Sequence, residues 1–137
     1  MPSIFSRIAS GEVPAVKIYE DDATLAFMDI SPASRGHALV ICKEEYADIF
    51  AIPPELLAIT ALAVQKVATA IRDALRPDGI NIVQNNGAAA GQTVFHYHVH
   101  IIPRWEGDGV LRPWSHRQTT RDELRILAEQ IRAAMRV

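Results

Sequence analysis

Three imidazoles fall on alternate positions of one short run, Phe95-His96-Tyr97-His98-Val99-His100-Ile101-Ile102. In an extended strand successive side chains point to opposite faces. His96, His98 and His100 are therefore expected in a row on one face, with Phe95, Tyr97, Val99 and Ile101 turned to the core. Such a row has three chemical readings. It can be the hydrogen-bonded polar face of a half-exposed strand. It can hold a metal, because two histidines at i and i+2 reach one Zn²⁺. It can also be nucleophilic, since an imidazole with an ordinary pKa of about 6.5 is largely neutral at neutral pH and can attack an electrophile.

The segment before the row bears on that choice. Asn85-Asn86-Gly87-Ala88-Ala89-Ala90-Gly91-Gln92-Thr93 is a loop of small residues. Small side chains let backbone N–H groups approach an anion, and Gln92 and Thr93 add donors. Alone this is an ordinary connection. Joined to a histidine row, it reads as an anion site beside a nucleophile. No Gly-rich stretch has the spacing of a P-loop or a dinucleotide-binding turn.

The elements that must position these residues follow from periodicity and punctuation. Val16 to Tyr19, Thr24 to Met28, His37 to Cys42, Ile80 to Gln84 and Val94 to Ile102 read as strands, with Asp21-Asp22 as a turn. A long helix is expected from Pro53 to about Leu75. Its first turn holds Pro53, Pro54 and Glu55, and its buried stripe is Leu57, Val64, Val67, Ile71 and Leu75, with Ala63 among them. Ile4 to Ser10 reads as a short helix stopped by Gly11. A last helix begins near Thr120 with the capping-box pattern Thr120-Arg121-Asp122-Glu123, and Leu124, Leu127, Ile131 and Met135 are its expected buried stripe. The stretch from Trp105 to Thr119 holds enough Trp, Val and Leu to be expected anchored. Adjacent strand pairs with few helices between them predict an antiparallel sheet in an α+β domain.

Composition sets the outer limits. The chain has 137 residues, five His, a single Cys and a net charge of −2 at pH 7. That length suits one domain, residues 1–137, with a real core. Cys42 has no partner for a disulfide. Lys and Arg do not exceed Asp and Glu, so no nucleic-acid partner is expected. No apolar run approaches the roughly 20 residues of a bilayer span, and Met1 to Arg7 has no signal-peptide core, so no membrane partner and a cytoplasmic location are expected.

His96-Tyr97-His98-Val99-His100-Ile101-Ile102 resembles the His-x-His-x-His-x-x motif of the histidine triad (HIT) superfamily. Ile4 to Ala15, Tyr19-Glu20-Asp21-Asp22, Ala26 to Pro32 and Gly36 to Ile41 are similar to segments of its Hint branch, in the same order. The likeness covers roughly residues 3 to 104. It implies a HIT-like fold, an antiparallel sheet of about five strands with one long helix and short N- and C-terminal helices, and a homodimer. It implies that His98 is the nucleophile, flanked by His96 and His100, with His37 as a fourth active-site histidine. It implies that Asp29 holds ribose hydroxyls, that Phe27 and Ile30 line a base pocket, and that Asn85, Gly91, Gln92 and Thr93 form the phosphate side. Without the resemblance Asp29 is a turn residue, Phe27 and Ile30 are core, and His37 is structural. His116 has no counterpart, and Trp105 and Trp114 are unassigned.

The implied activity is a purine nucleotide-binding hydrolase, cleaving at the α-phosphorus of nucleoside 5′-phosphoramidates or related mixed phosphates through a nucleotidyl-histidine. The alternatives are a dinucleoside polyphosphate hydrolase, a nucleotidyl transferase, and a nucleotide-binding protein without catalysis. Many bacterial members carry a structural zinc on a Cys-x-x-Cys pair, a His after the third strand and a triad His. Here Ser3, Ser6 and Glu45 stand at the first three positions. Hydroxyls are poor zinc ligands, so no cofactor and no structural zinc are expected.

Overall fold

The computed structural model describes residues 1–135. Five strands form one sheet: β1 (Lys17–Glu20), β2 (Thr24–Met28), β3 (Ala38–Cys42), β4 (Gly79–Val83) and β5 (His98–Arg104). Their spatial order is β1-β2-β3-β5-β4, with every neighbouring pair antiparallel. Among the described residues three α-helices accompany them, α1 (Ile4–Ala9), α2 (Pro54–Leu75) and α3 (Arg121–Ala134), with a single 3-10 turn at Ala88–Ala90. The α+β class, the five strands and the long helix agree with expectation.

The period of two assigns each strand two jobs. Val40 pairs with Val99 and Ala38 with Ile101, and these residues cluster with Ala26, Cys42 and Tyr97 against Ala63, Val64, Val67 and Ile71 of α2. Leu39 pairs with His100 and Ile41 with His98, and this opposite face packs Leu25, Phe27, Leu39 and Ile41 against Phe5 and Ile8 of α1. One face thus holds the long helix. The other carries the histidines.

α2 starts where the sequence stiffens it. Pro53 is extended at the N-cap and Pro54 fills the first turn, where its missing N–H costs no hydrogen bond. It ends at Arg76, the one non-Gly residue with positive φ among those described. At 22 residues it is long and apolar enough to cross a bilayer by length and composition. In this fold one side of it covers the sheet, while Lys66, Arg72 and Asp73 lie on exposed positions.

Three expectations need correcting. β5 begins at His98, not Val94, because Val94 to His96 bend away from the sheet. Phe95 is consequently half exposed and not in the core. The third concerns the C-terminal region. Thr120 caps α3 by accepting from the Glu123 N–H, as its pattern predicts, yet no residue of α3 is buried. Leu124, Leu127, Ile131 and Met135 form an apolar stripe that this chain leaves uncovered. Anchoring of the preceding stretch ends at Val110 and Leu111, whose carbonyl accepts from Arg104 Nη2 at 3.4 Å. There the Asp108 carboxylate accepts from Arg104 and from the Trp105 and Val110 N–H groups, and residues 111–120 are exposed.

Candidate active site

The histidine face opens into a cleft of about 390 Å³. α1 supplies Ile4, Phe5 and Ile8 as one wall. The segment Val13–Ala15 and Phe27 close the far end, and Asp29, Ile30, Thr93, His98 and His100 rim it. The wall is largely apolar, and no lysine or arginine lines it.

Hydrogen bonds fix the proton on each ring, because a backbone carbonyl can only accept and an amide N–H can only donate. His98 Nδ1 lies 2.6 Å from the His96 carbonyl oxygen and so carries the proton. Its lone pair is therefore at Nε2. The Ala33 N–H donates to His37 Nδ1 at 2.9 Å, which leaves the proton of His37 on Nε2. That N–H donates in turn to His100 Nδ1 at 2.9 Å, so neutral His100 carries its proton on Nε2. The His98 and His100 rings meet edge-on with centroids 5.1 Å apart, and Phe5 packs edge-on against His98 at 4.9 Å.

Burial keeps these rings neutral. It pushes the pKa of His98 and of His37 below the ordinary histidine value, against the opposing pull of the Asp29 carboxylate. His100 is pushed down to about 4, first by burial and then by the neighbouring His98 and His37. A neutral ring with a directed lone pair is the form a nucleophile needs.

Asp29 sits just past β2, with its backbone N–H donated to the His37 carbonyl. Its Oδ1 accepts from the Ser31 N–H at 2.7 Å. Oδ2 lies 3.5 Å from His37 Nε2, too long for a good hydrogen bond. That oxygen can accept from hydroxyls at the cleft rim. Phe27 is buried beneath the cleft, whereas Ile30 is 93% exposed at its mouth.

Asp29, His37 and His100 place three ligand-type atoms within 4.8 Å of one another. The donor set fits a metal poorly. Ligation at His37 Nε2 would move its proton to Nδ1, where it would face the Ala33 N–H, donor against donor.

The loop residues divide. Gly91 has φ +94°, a conformation that favours glycine, and the Cβ it lacks would lie 3.5 Å from Asn85 Nδ2. Gly91 and Thr93 are exposed and Asn85 is half-buried. Gln92 is different. Its side chain is buried, its amide hydrogens go to the Ala47 and Val94 carbonyls, and its Oε1 accepts from the Gly87 N–H. Gln92 therefore braces the loop and has no free donor for a ligand.

His96 also departs from the picture of a row. Its ring is fully buried and outside the cleft lining. Nε2 donates to the Cys42 carbonyl at 2.6 Å, and Nδ1 lies 2.7 Å from Ser3 Oγ. Ser3, Ser6 and Glu45 converge on this ring, joined by hydrogen bonds. Their convergence was implied by their match to relatives' ligand positions, but the network was not readable from spacing. His116 lies in the exposed 111–120 stretch.

Comparison with known proteins agrees with this architecture. A model of the HIT domain matches residues 10–107. A Bacillus subtilis protein named Protein hit is 48% identical over 112 residues, covering 81% of this chain and 77% of its own. Adenosine 5′-monophosphoramidase hnt1 of Schizosaccharomyces pombe is 40% identical over 132 residues, covering 96% of each chain. The crystal structure of a HIT family member from Bacillus subtilis superposes with a TM-score of 0.94 at 37% identity, over 100% of this chain and 99% of that one.

Proposed function

Since the chain belongs to the HIT family, we propose that it is a nucleotide-binding hydrolase that cleaves nucleoside 5′-phosphoramidates, or related mixed nucleoside phosphates, at the α-phosphorus. The observation that carries this reading is the His98 ring, whose proton is held at Nδ1 by the His96 carbonyl while Nε2 keeps its lone pair beside the cleft. The similarity to a protein named for adenosine monophosphoramidase activity supports the substrate class.

In this mechanism a purine lies against the apolar wall formed by α1, Val13–Ala15 and Phe27, with Ile30 at its edge, and Asp29 accepts from the ribose hydroxyls. His98 Nε2 forms a bond to phosphorus and the P–N bond to the amine breaks. The resulting cation on His98 keeps its Nδ1–H on the His96 carbonyl. His100 Nε2–H, the Thr93 region and the backbone of the Gly91 turn, with Asn85 beside it, donate to the phosphoryl oxygens. His100 stays neutral, because its Nδ1 accepts from the His37 Nε2–H, and the leaving amine takes its proton from a water at the cleft, the hydroxide passing to solvent. Water then releases the nucleoside monophosphate. No step uses a metal, and the Ser3, Ser6 and Glu45 set holds no structural zinc.

The lining favours a substrate with one phosphoryl group at the reaction centre. A dinucleoside polyphosphate brings further negative charges, and no Lys or Arg lines this cleft to meet them. The working unit is a homodimer, supported by the uncovered apolar side chains of α2, β4 and α3.

The test is turnover of adenosine 5′-phosphoramidate in EDTA by the full chain and by His98→Ala. Release of the monophosphate by the wild type alone, with one nucleotidyl group found on His98 after rapid quench, is the expected result. Equal turnover by both proteins refutes the role of His98. Faster cleavage of a diadenosine polyphosphate than of the phosphoramidate replaces the substrate assignment. Saturable nucleotide binding without turnover leaves a binding protein.

A further inference from the structure

Among the described residues the one hydrogen bond that positions the nucleophile runs to a backbone carbonyl, so whatever fixes residue 96 fixes His98. His96 is fixed from two sides. Its Nε2–H is donated to the Cys42 carbonyl at the end of β3, and that bond requires Nδ1 to be an acceptor. The acceptor is met by Ser3 Oγ at 2.7 Å, with Ser6 Oγ at 3.3 Å. Glu45 then settles which hydroxyl donates. Its Oε1 accepts from the Ser3 N–H and from Ser6 Oγ, each at 2.7 Å. With the Ser6 proton committed to Glu45, the Ser3 hydroxyl is the donor to His96. Ser3 is also the N-cap of α1 and accepts the Ser6 N–H. From that helix Phe5 packs edge-on against both His96 and His98.

We propose that Ser3, Ser6 and Glu45 form a latch that ties α1 to the His96 ring and thereby aims His98, making Ser3 and Glu45 positioning residues for the reaction. The argument rests on the function proposed above for its kinetic readout, but not for its geometry. The carboxylate is exposed at one end and the ring fully buried at the other. The latch therefore transmits a surface contact to the reacting atom through four side chains and one carbonyl.

The experiment uses the full chain with Ser3→Ala, Ser3→Thr, Glu45→Ala and Glu45→Gln. kcat and KM are measured on adenosine 5′-phosphoramidate, adenosine monophosphate affinity by calorimetry, and the proton position on each ring by long-range ¹⁵N–¹H spectra of ¹⁵N-histidine protein. A displaced nucleophile predicts that Ser3→Ala and Glu45→Ala lose roughly five- to tenfold in kcat, with nucleotide affinity held within about twofold. Their His98 signal changes from one Nδ1–H form to a mixture. Ser3→Thr keeps the hydroxyl and Glu45→Gln keeps an acceptor oxygen, so both recover most of the rate.

An unchanged kcat and His98 signal in the alanine variants overturns the proposal. So does a loss of kcat matched by an equal loss of nucleotide affinity and a lower Tm, which marks a merely structural contact. If the wild type turns over no phosphoramidate, the functional reading fails by itself. The spectra still decide the latch, and an undisturbed His98 tautomer in Ser3→Ala overturns it.

Discussion

His37, His96, His98 and His100 all share one thermodynamic property: burial lowers their pKa below the ordinary value. The unfolded chain, with histidines near 6.5, therefore binds more protons than the folded one as acid is added. Their contribution to stability is fully present above about pH 6.5. It is lost as pH falls through each folded pKa, which for His100 means down to about 4. Urea midpoints measured across this window should fall steeply, and replacing His100 with Asn should flatten the curve. Gln92 gives a second prediction at this scale. Gln92→Leu keeps the bulk but leaves the Gly87 N–H and two carbonyls without partners. A fully buried group left unpaired costs about 1–3 kcal/mol, and these part-buried groups, which water can partly reach, cost toward the lower end. The expected outcome is a lower Tm together with a raised KM for nucleotide, since the loop it braces is on the phosphate side of the proposed site.

At the scale of elements, β1 to β4 and α2 were readable to within a residue or so, because the strands are short apolar runs bounded by turn residues and α2 carries its own period of 3.6. The start of β5 was not. Alternation continues through Phe95 and His96 in the sequence, but tertiary bonds from His96 to Cys42 and Ser3 pull the chain out of register there. The same contacts explain why, of the three histidines that the motif sets in a row, only His98 and His100 line the cleft. A motif records residue types, whereas the side-chain partners of His96 lie 54 and 93 positions away. Asp29 and His37 could be named only through the family likeness, since their meeting depends on how the loop between β2 and β3 closes. Gly36 in that loop has φ +88°, and an added Cβ would collide with Leu75 Cδ1 at the end of α2, with Pro103 at 3.3 Å. Gly36→Ala should therefore displace the loop that presents His37. A destabilisation of about 2 kcal/mol or more is expected, read as a drop in Tm with weakened nucleotide binding.

At the scale of the whole molecule, a set of large apolar side chains on three elements lies open. Ile59 and Leu62 on α2, Ile82 on the edge strand β4, and Leu124, Leu127 and Ile131 on α3 are all exposed. The α3 stripe was legible as an amphipathic helix, but no sequence pattern says which body covers it. Under the proposed homodimer, light scattering should give twice the chain mass at micromolar concentration. Leu62→Glu combined with Ile82→Lys should shift the mass toward the monomer and lower Tm, without disturbing buried residues of the sheet. A single-chain mass for the wild type would leave the dimer unsupported.

Cys42 is fully buried on the α2 face of β3, where desolvation pushes its thiol up to about 11. A thiol-reactive dye can reach it only when β3 separates from the long helix, since both protonation and packing protect the sulfur. This single side chain is therefore a built-in clock for opening of the central sheet. Its labelling rate in the native protein, followed with and without nucleotide, reports how far an occupied cleft on one face slows the exposure of the core on the other.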